Sequence, residues 1–517
     1  MRNMSNKTEQ KGFRAGLLKI IGGVQHGFHE YNRRMSKLYS PNLAALTGAA
    51  LVLVMMLFTL FIPPFSGVAD DGSLNGILLG TGLGYRGQDL THPTGAYFIR
   101  VYLHSAYLPE GISAHRLIIR FAMWLDDQFT HDNLFDIRFL ALVYAILYLP
   151  AVYLTMRGIA FRVKVAAEAT FLIIIGALIL GDAAMISYFN SLYPEALWQI
   201  CLIYMLGFSL ALQHKEAGWT QGGLVGLLAA GSVLTLAESH CAAVGLVLTV
   251  FFARQIMMED RTVQISLIAG VSAAVILIVS VVSATAGSTR FSDASKMHAM
   301  TNGVLLRAED PAKTLEDFGI DPRFETLTDM SSYGNFPYAL SGNPDIQRDF
   351  LSKYSVGSIL VHYLTHPLSY FGLLELGVRA AFHPMRSYVG NFESDTGQPE
   401  RAANGQLTTY SNFKANSLPQ TMGFLAILAI VYFVLFRKRR DLNPHKVRFT
   451  FRERQIMLDT FLLLLLTGIA HLTAIIALSG TAELERYQML CGICIDGMLL
   501  LFAAEILHRL HIFSAEE

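Results

Sequence analysis

The sequence predicts an all-α polytopic membrane protein with about ten transmembrane helices. Of its 517 residues, 53% are hydrophobic and 15% are charged, where soluble domains carry roughly 25% charged residues. Mean hydropathy is +0.41. Apolar runs close to the roughly 20 residues that cross about 30 Å of hydrocarbon recur along the chain. Forty basic residues balance forty acidic ones, which argues against a nucleic-acid partner.

The elements follow in order. Residues 1–43 form a basic segment in which Arg2, Lys7, Lys11, Arg14, Lys19, Arg33, Arg34 and Lys37 are spread along the chain and no apolar stretch comes early enough for a cleavable signal. Residues 13–38 read either as an amphipathic helix on an anionic inner leaflet or as a tethered tail. Spans are predicted at 44–64, 136–156, 166–187, 195–213, 221–237, 241–254, 265–286, 419–436, 456–479 and 489–507. The runs 221–237 and 241–254 are short, and read as a tilted pair or a re-entrant hairpin.

Orientation comes from the basic residues. Arg162, Lys215, Arg254 and the cluster Arg437–Arg454 fall in alternate connections, while 188–194 and 238–240 contain no Lys or Arg. Both termini are therefore expected inside, with 44–286 holding spans one to seven and 419–517 holding the last three. Two large segments remain outside, 65–135 and 287–418, the second long enough for a small, partly helical domain. Within it, 355–382 is apolar but holds His362, His366, Pro367, Glu375 and Arg379, which are costly in lipid; it reads as an amphipathic hairpin at the outer interface. The four cysteines lie in apolar runs, and the Cys491–Cys494 pair reads as helix packing without a second pair to make a metal site.

The candidate chemistry gathers at the predicted outer face. Pro63 and Pro64 end the first span, and Asp70 and Asp71 follow at once on a Gly-rich turn. His92 and Arg100 come next in the same loop, and 117–129 is an amphipathic stretch with Trp124 placed for the headgroup belt. Asp182 sits late in the third apolar run, where an ionisable group is a functional candidate. Tyr188 and Asn190 follow it, and Glu195 opens the fourth span, where a carboxylate also suits the helix dipole. Glu238 and His240 mark the tip of the short pair. Between the last two spans stand Glu485, Arg486 and Tyr487, with Arg486 either snorkelling or holding a lipid phosphate.

Glycosyl transfer from a lipid phosphate suits this set. The departing phosphate is already a stable anion, so the reaction needs one carboxylate to take the acceptor hydroxyl proton and cations to hold the phosphate. Asp70 or Asp71 would be the base, and Arg486 a phosphate holder. Asp182, Tyr188, Asn190, Glu195, His92, Arg100, Glu485 and Tyr487 complete the candidate substrate-binding set.

The motifs ADDGSL, FDIRFLALVY, SYFNSLYPEA, FGIDPRFETLTDMSSY, YVGNFESDTG and ELERY resemble those of GT-C-type polytopic glycosyltransferases, closest to bacterial cell-surface (S-layer-type) glycan hexose transferases. The resemblance implies a GT-C-like fold in the bacterial cytoplasmic membrane, with the active site extracytoplasmic. It also implies a polyprenyl-phosphate sugar donor and a cell-surface or lipid-linked saccharide acceptor. Asp70 matches the family's first acidic position. Asp71 stands where an Asn is commoner and Ser73 where an Asp is commoner, so which aspartate is the base stays open. AESH replaces a Lys-Pro-Gln-like stretch, and no role passes to Glu238 or His240. A divalent metal on Asp70, Asp71 and Asp182 is conceivable but not required by a phosphate leaving group. The alternatives are a transporter or flippase of lipid-linked saccharide, which would favour internal repeats absent from this sequence, and a lipid-linked glycan polymerase or ligase. Tyr333, Asn335, Tyr338 and Asn391 mark a polar saccharide groove in 287–418.

Overall fold

A computed structural model describes residues 27–28, 30–35, 39–105, 113–163, 165–214, 216–258, 261–290, 293–330, 340–386, 388–436, 451–482 and 484–509. Numbering the helices used below, these are α1 (Pro41–Met56), α2 (Ala114–Thr130), α3 (Arg138–Ala160), α4 (Ala166–Leu180), α5 (Glu195–Ala211), α6 (Ala217–Thr235) and α7 (Ala242–Ile256). The chain continues with α8 (Val263–Arg290), α9 (Val356–Thr365), α10 (Pro367–Ala381), α11 (Thr409–Ser417), α12 (Met422–Phe436), α13 (Phe451–Ser479) and α14 (Met489–Arg509).

Every predicted span is a helix, but not every one is built to face lipid along its length. Among the described residues seven stretches are long and apolar enough to cross a membrane, and an eighth if α11 and α12, bent by 105° at their break, form one span. The expectation of ten counted α5 and α6 as well. Helix α5 has 17 residues and buries nearly all of them; it packs against α3, α6, α13 and α14, so neighbouring helices rather than lipid set its length. Glycines permit that packing. A Cβ on Gly158 would meet Leu210 at 2.6 Å, and one on Gly207 would meet Leu154 at 2.9 Å, so α3 and α5 each offer a glycine to the other's leucine. The boundary expected at 418/419 falls inside the bent α11–α12 pair.

One end of the bundle collects the basic connections. Arg157 donates to Asn42 at 2.7 Å, Arg162 to Glu505 at 3.0 Å, Arg254 to Asp459 at 2.7 Å and Arg452 to the Leu212 carbonyl at 3.1 Å. These contacts join four connections that the charge pattern assigns to one side. Of the N-terminal segment, Tyr31 meets Thr170 at 2.9 Å and Asn32 accepts from the Ala167 amide at 2.9 Å, so residues 31–32 dock on the start of α4. Arg33 and Arg34 face outward, paired to Glu30.

The opposite end is built from the two long connections. In the first, β1 (Leu83–Gly84), β2 (Val101–His104) and β3 (Leu134–Asp136) form an antiparallel sheet in that order, with Leu83 opposite His104 and Tyr102 opposite Phe135. Helix α2 buries Ile119 and Ala122 and exposes Leu117, Phe121 and Trp124, an apolar stripe suited to an interface. In the second, α9 and α10 follow one another with a break at His366–Pro367. Leu364 and Leu368 beside that break are 81% and 86% exposed.

A three-layer seam ties the two connections together. Gly67 and Ala69 donate to the carbonyls of Asn391 and Gly390, each at 3.0 Å, and Phe98 donates to Phe392 at 2.9 Å. Residues 390–392 thus lie between 67–69 and 98. Gly67 leaves no space for a side chain there: a Cβ would meet Phe98 at 2.3 Å and the Asn190 carbonyl at 2.6 Å.

Candidate functional site

The chain leaves α1 through a π-helical turn at Leu57–Phe61 and turns extended at Ile62, next to Pro63 and Pro64. The seam then fixes residues 67–69, and Asp70–Asp71 follow immediately. Their turn is self-tied. The amides of Gly72 and Leu74 donate to Asp70 Oδ1 at 2.8 and 3.2 Å, and Gly72 takes φ of +97°, open to glycine without strain. Ser73 donates to Asp71 Oδ1 through its amide at 3.0 Å and its hydroxyl at 2.6 Å.

The two carboxylates then diverge. Asp71 Oδ2 accepts from Arg386 at 2.6 Å. The same guanidinium donates to Glu195 Oε1 at 3.0 Å, and the Arg386 and Glu195 side chains are fully buried. Burial works against the charge on Arg386, but Tyr188, Glu195, Tyr193 and Asp71 outweigh it and raise its pKa. Its guanidinium lies 5.0 Å over the Tyr193 ring and 5.8 Å over Tyr188. Asp71 is therefore one end of a buried Asp–Arg–Glu clamp, which joins the first outer connection, the start of α5 and the segment after α10.

Asp70 instead faces a polar cavity of about 320 Å³, lined also by Tyr85, Asp89, His92, Thr94, Tyr97 and Ser394. Tyr85 donates its hydroxyl to Asp70 Oδ2. Burial and the neighbouring Asp70 charge push the Tyr85 hydroxyl well above its ordinary range, so it stays a donor. Tyr193 bridges both aspartates, donating toward Asp71 Oδ1 at 2.7 Å and Asp70 Oδ1 at 3.3 Å while accepting from the Asp71 amide at 2.9 Å.

The other sequence candidates divide. His92 lines the Asp70 cavity, edge-on to Tyr97 at 4.9 Å. Glu195 and Tyr188 surround Arg386. Arg100 is a strut, bonded to Asp136 at 3.0 Å and Glu393 at 2.9 Å. Asn190 holds the turn after α1 by donating to the carbonyls of Leu60 and Ser66 at 3.1 and 2.9 Å. Asp182 is buried and accepts from the amides of Ala184 at 3.0 Å and Ser411 at 2.9 Å, and from the Ser411 hydroxyl. Tyr487 stacks with Trp198, ring centroids 6.1 Å apart, and lies 4.4 Å from the His240 ring. The side chains of Glu485 and Arg486 lie outside the described residues, as do Tyr333, Asn335 and Tyr338. Asn391 serves the seam, donating to the Gly67 carbonyl at 2.7 Å.

Sequence reasoning passed over Arg386 and Tyr85. Arg386 stands two residues before the first residue of YVGNFESDTG, and an arginine beside a motif in an outer segment was a signal within reach. Its partner, 315 residues away, was not. No curated protein and no solved structure is significantly similar to this chain. Over residues 29–517 it matches the family described as the YfdI N-terminal transmembrane domain, and it belongs to that family.

Proposed function

We propose that this protein is a GT-C-type membrane glycosyltransferase that moves a hexose-type sugar from a polyprenyl-phosphate donor to a cell-surface or lipid-linked saccharide at the extracytoplasmic face. The observation that carries the reading is the division of labour in the aspartate pair: Asp71 is neutralised by a buried arginine while Asp70 opens onto a polar cavity beside the end of a span. Family membership in a transmembrane domain family supports it, and the motif likeness to S-layer-type hexose transferases supplies the finer substrate class. The basic end of the bundle is the cytoplasmic side by charge, which puts Asp70 outside.

In this reaction the acceptor hydroxyl oxygen attacks the anomeric carbon, the bond from that carbon to the phosphate oxygen breaks, and its electron pair leaves on the phosphate. Asp70 accepts the hydroxyl proton. Its geometry serves that task, because the Gly72 and Leu74 amides and the Tyr85 hydroxyl hold the carboxylate in place without neutralising it. Arg386 is too deeply enclosed to touch a substrate; it positions Asp71 and hence the turn. His92 and Tyr97 offer polar contacts to a sugar. Glu195 lies one turn before Trp198, and Trp198 packs on Tyr487. Beside that cluster runs an apolar groove of about 650 Å³ lined by Ser239, Leu246, Val281, Leu360 and Leu478, with Lys296 on its wall. That groove takes the prenyl chain, with Lys296 and Arg486 as cations for the phosphate.

The test is transfer of radiolabelled sugar from a panel of polyprenyl-phosphate donors in proteoliposomes. Product that requires a donor and disappears in Asp70→Asn supports the proposal. Sugar movement across the bilayer without any transfer product overturns it in favour of a transporter.

A further inference from the structure

His240 and Cys241 at the AESH tip and the intramembrane His471 have no part in the chemistry above, yet the fold brings them together. His240 and Cys241 lie in the turn between α6 and α7, and His471 lies on α13, eight residues before its end. One ligand atom from each, two imidazole nitrogens and one thiol sulfur, lie within 4.8 Å of one another. All three side chains are buried: His240 is 7% exposed, Cys241 and His471 0%. The imidazole rings stand 4.9 Å apart at 65°, and Trp198 closes one side with centroids 5.5 and 5.7 Å from them. Neither ring nitrogen of His471 has a hydrogen-bond partner among the described residues. An imidazole enclosed in this way, facing another imidazole and a thiol, lacks the partner that buried polar groups require.

We propose that His240, Cys241 and His471 form a binding site for a thiophilic closed-shell cation, Zn²⁺ or Cu⁺. Two neutral imidazoles and one thiolate are the donor set that both ions favour. With Cu⁺ the centre is electrically neutral, which suits its burial. With Zn²⁺ one positive charge remains, and Glu238, three residues before Cys241, is the nearest acidic residue in sequence to offset it. The thiol proton is released to solvent as the metal–sulfur bond forms. The ion would staple the α6–α7 turn to α13 beneath Tyr487, whose ring lies 4.4 Å from His240. The site stands whether or not the glycosyltransferase reading holds.

The experiment uses the full chain purified in detergent, stripped with a chelator under reducing conditions, loaded separately with Zn²⁺ or Cu⁺, freed of excess ion and assayed for metal per chain. The expected result is one ion per chain for at least one of the two. Affinity should fall about tenfold or more in both Cys241→Ser and His471→Asn, and be kept in the Cys491→Ser/Cys494→Ser control. Glu238→Gln separates the sources: it weakens Zn²⁺ and leaves Cu⁺ unchanged. The wild-type chain loaded with Co²⁺ gives a reading independent of any variant's folding, since thiolate ligation produces a charge-transfer band in the near ultraviolet. Less than one ion per chain with both Zn²⁺ and Cu⁺, or equal metal retention by wild type and the Cys241→Ser/His471→Asn double variant, overturns the site.

Discussion

Replacing Asp70 and Asp71 singly by asparagine separates a base from a strut. In Asp70→Asn the side-chain oxygen can keep the Gly72 and Leu74 amide bonds of 2.8 and 3.2 Å, and the Tyr85 hydroxyl can turn to accept from the new amide. The folded state should lose no more than about 0.5–1.5 kcal/mol, the net worth of one ordinary hydrogen bond. The chemical step loses its proton acceptor, and transfer should slow by roughly 10²–10⁴-fold, the usual contribution of general-base catalysis. That corresponds to roughly 2.7–5.4 kcal/mol of barrier at about 1.4 kcal/mol per tenfold. Asp71→Asn behaves oppositely. It removes one of two carboxylates from a fully buried guanidinium, breaking a 2.6 Å charged bond, at a cost of about 1.5–3 kcal/mol. Its thermal midpoint should fall, while transfer per folded molecule declines less than in Asp70→Asn. The assay pairs initial rates of sugar transfer in proteoliposomes with thermal unfolding of the same preparations in detergent. An Asp70→Asn protein retaining more than about a tenth of wild-type turnover, beside a stable but inactive Asp71→Asn protein, refutes the assignment.

Other expectations follow from the same geometry. Arg386→Met leaves Glu195 buried beside Asp71 without their shared cation, and should cost about 3–5 kcal/mol, seen as a large drop in thermal midpoint that adding Glu195→Gln partly restores. Gly67→Ala forces a Cβ to within 2.3 Å of Phe98 and should destabilise by about 1–3 kcal/mol, with protease cleavage appearing in the outer connections. His362 is pushed from an ordinary 6.5 down to about 4 by burial and by the adjacent His366 ring 4.2 Å away. Its folded form therefore binds fewer protons than its unfolded form between those values, and stability present above pH 6.5 is lost as pH falls toward 4. His362→Phe should flatten that decline in a thermal-midpoint series against pH; an unchanged slope would refute the assignment.

Much of this architecture was legible from composition and order alone. Long apolar runs become helices in any solvent that cannot satisfy the backbone, so the segments were readable without knowing their partners. The basic connections marked one side because charge near a span end acts locally. Pro367 broke the apolar 355–382 stretch into two helices for an equally local reason, since its ring cannot continue a helix. The Asp70–Asp71 turn was visible too, because its geometry is made by residues 70–74.

Tertiary structure decided what lies between distant segments. Among the described residues seven or eight stretches are long and apolar enough to cross a membrane, and α5, 17 residues long, falls short while lying sheathed by other helices; hydropathy cannot say what surrounds a helix. The clamp of Asp71, Arg386 and Glu195, the seam of residues 67–69 with 390–392, and the meeting of His240, Cys241 and His471 each join residues more than a hundred apart in sequence. A side chain's type announces what it could bind, but only packing fixes which partner comes within about 3 Å of it. That is why two adjacent aspartates, equivalent on the page, end with one sealed against an arginine and the other open to a cavity.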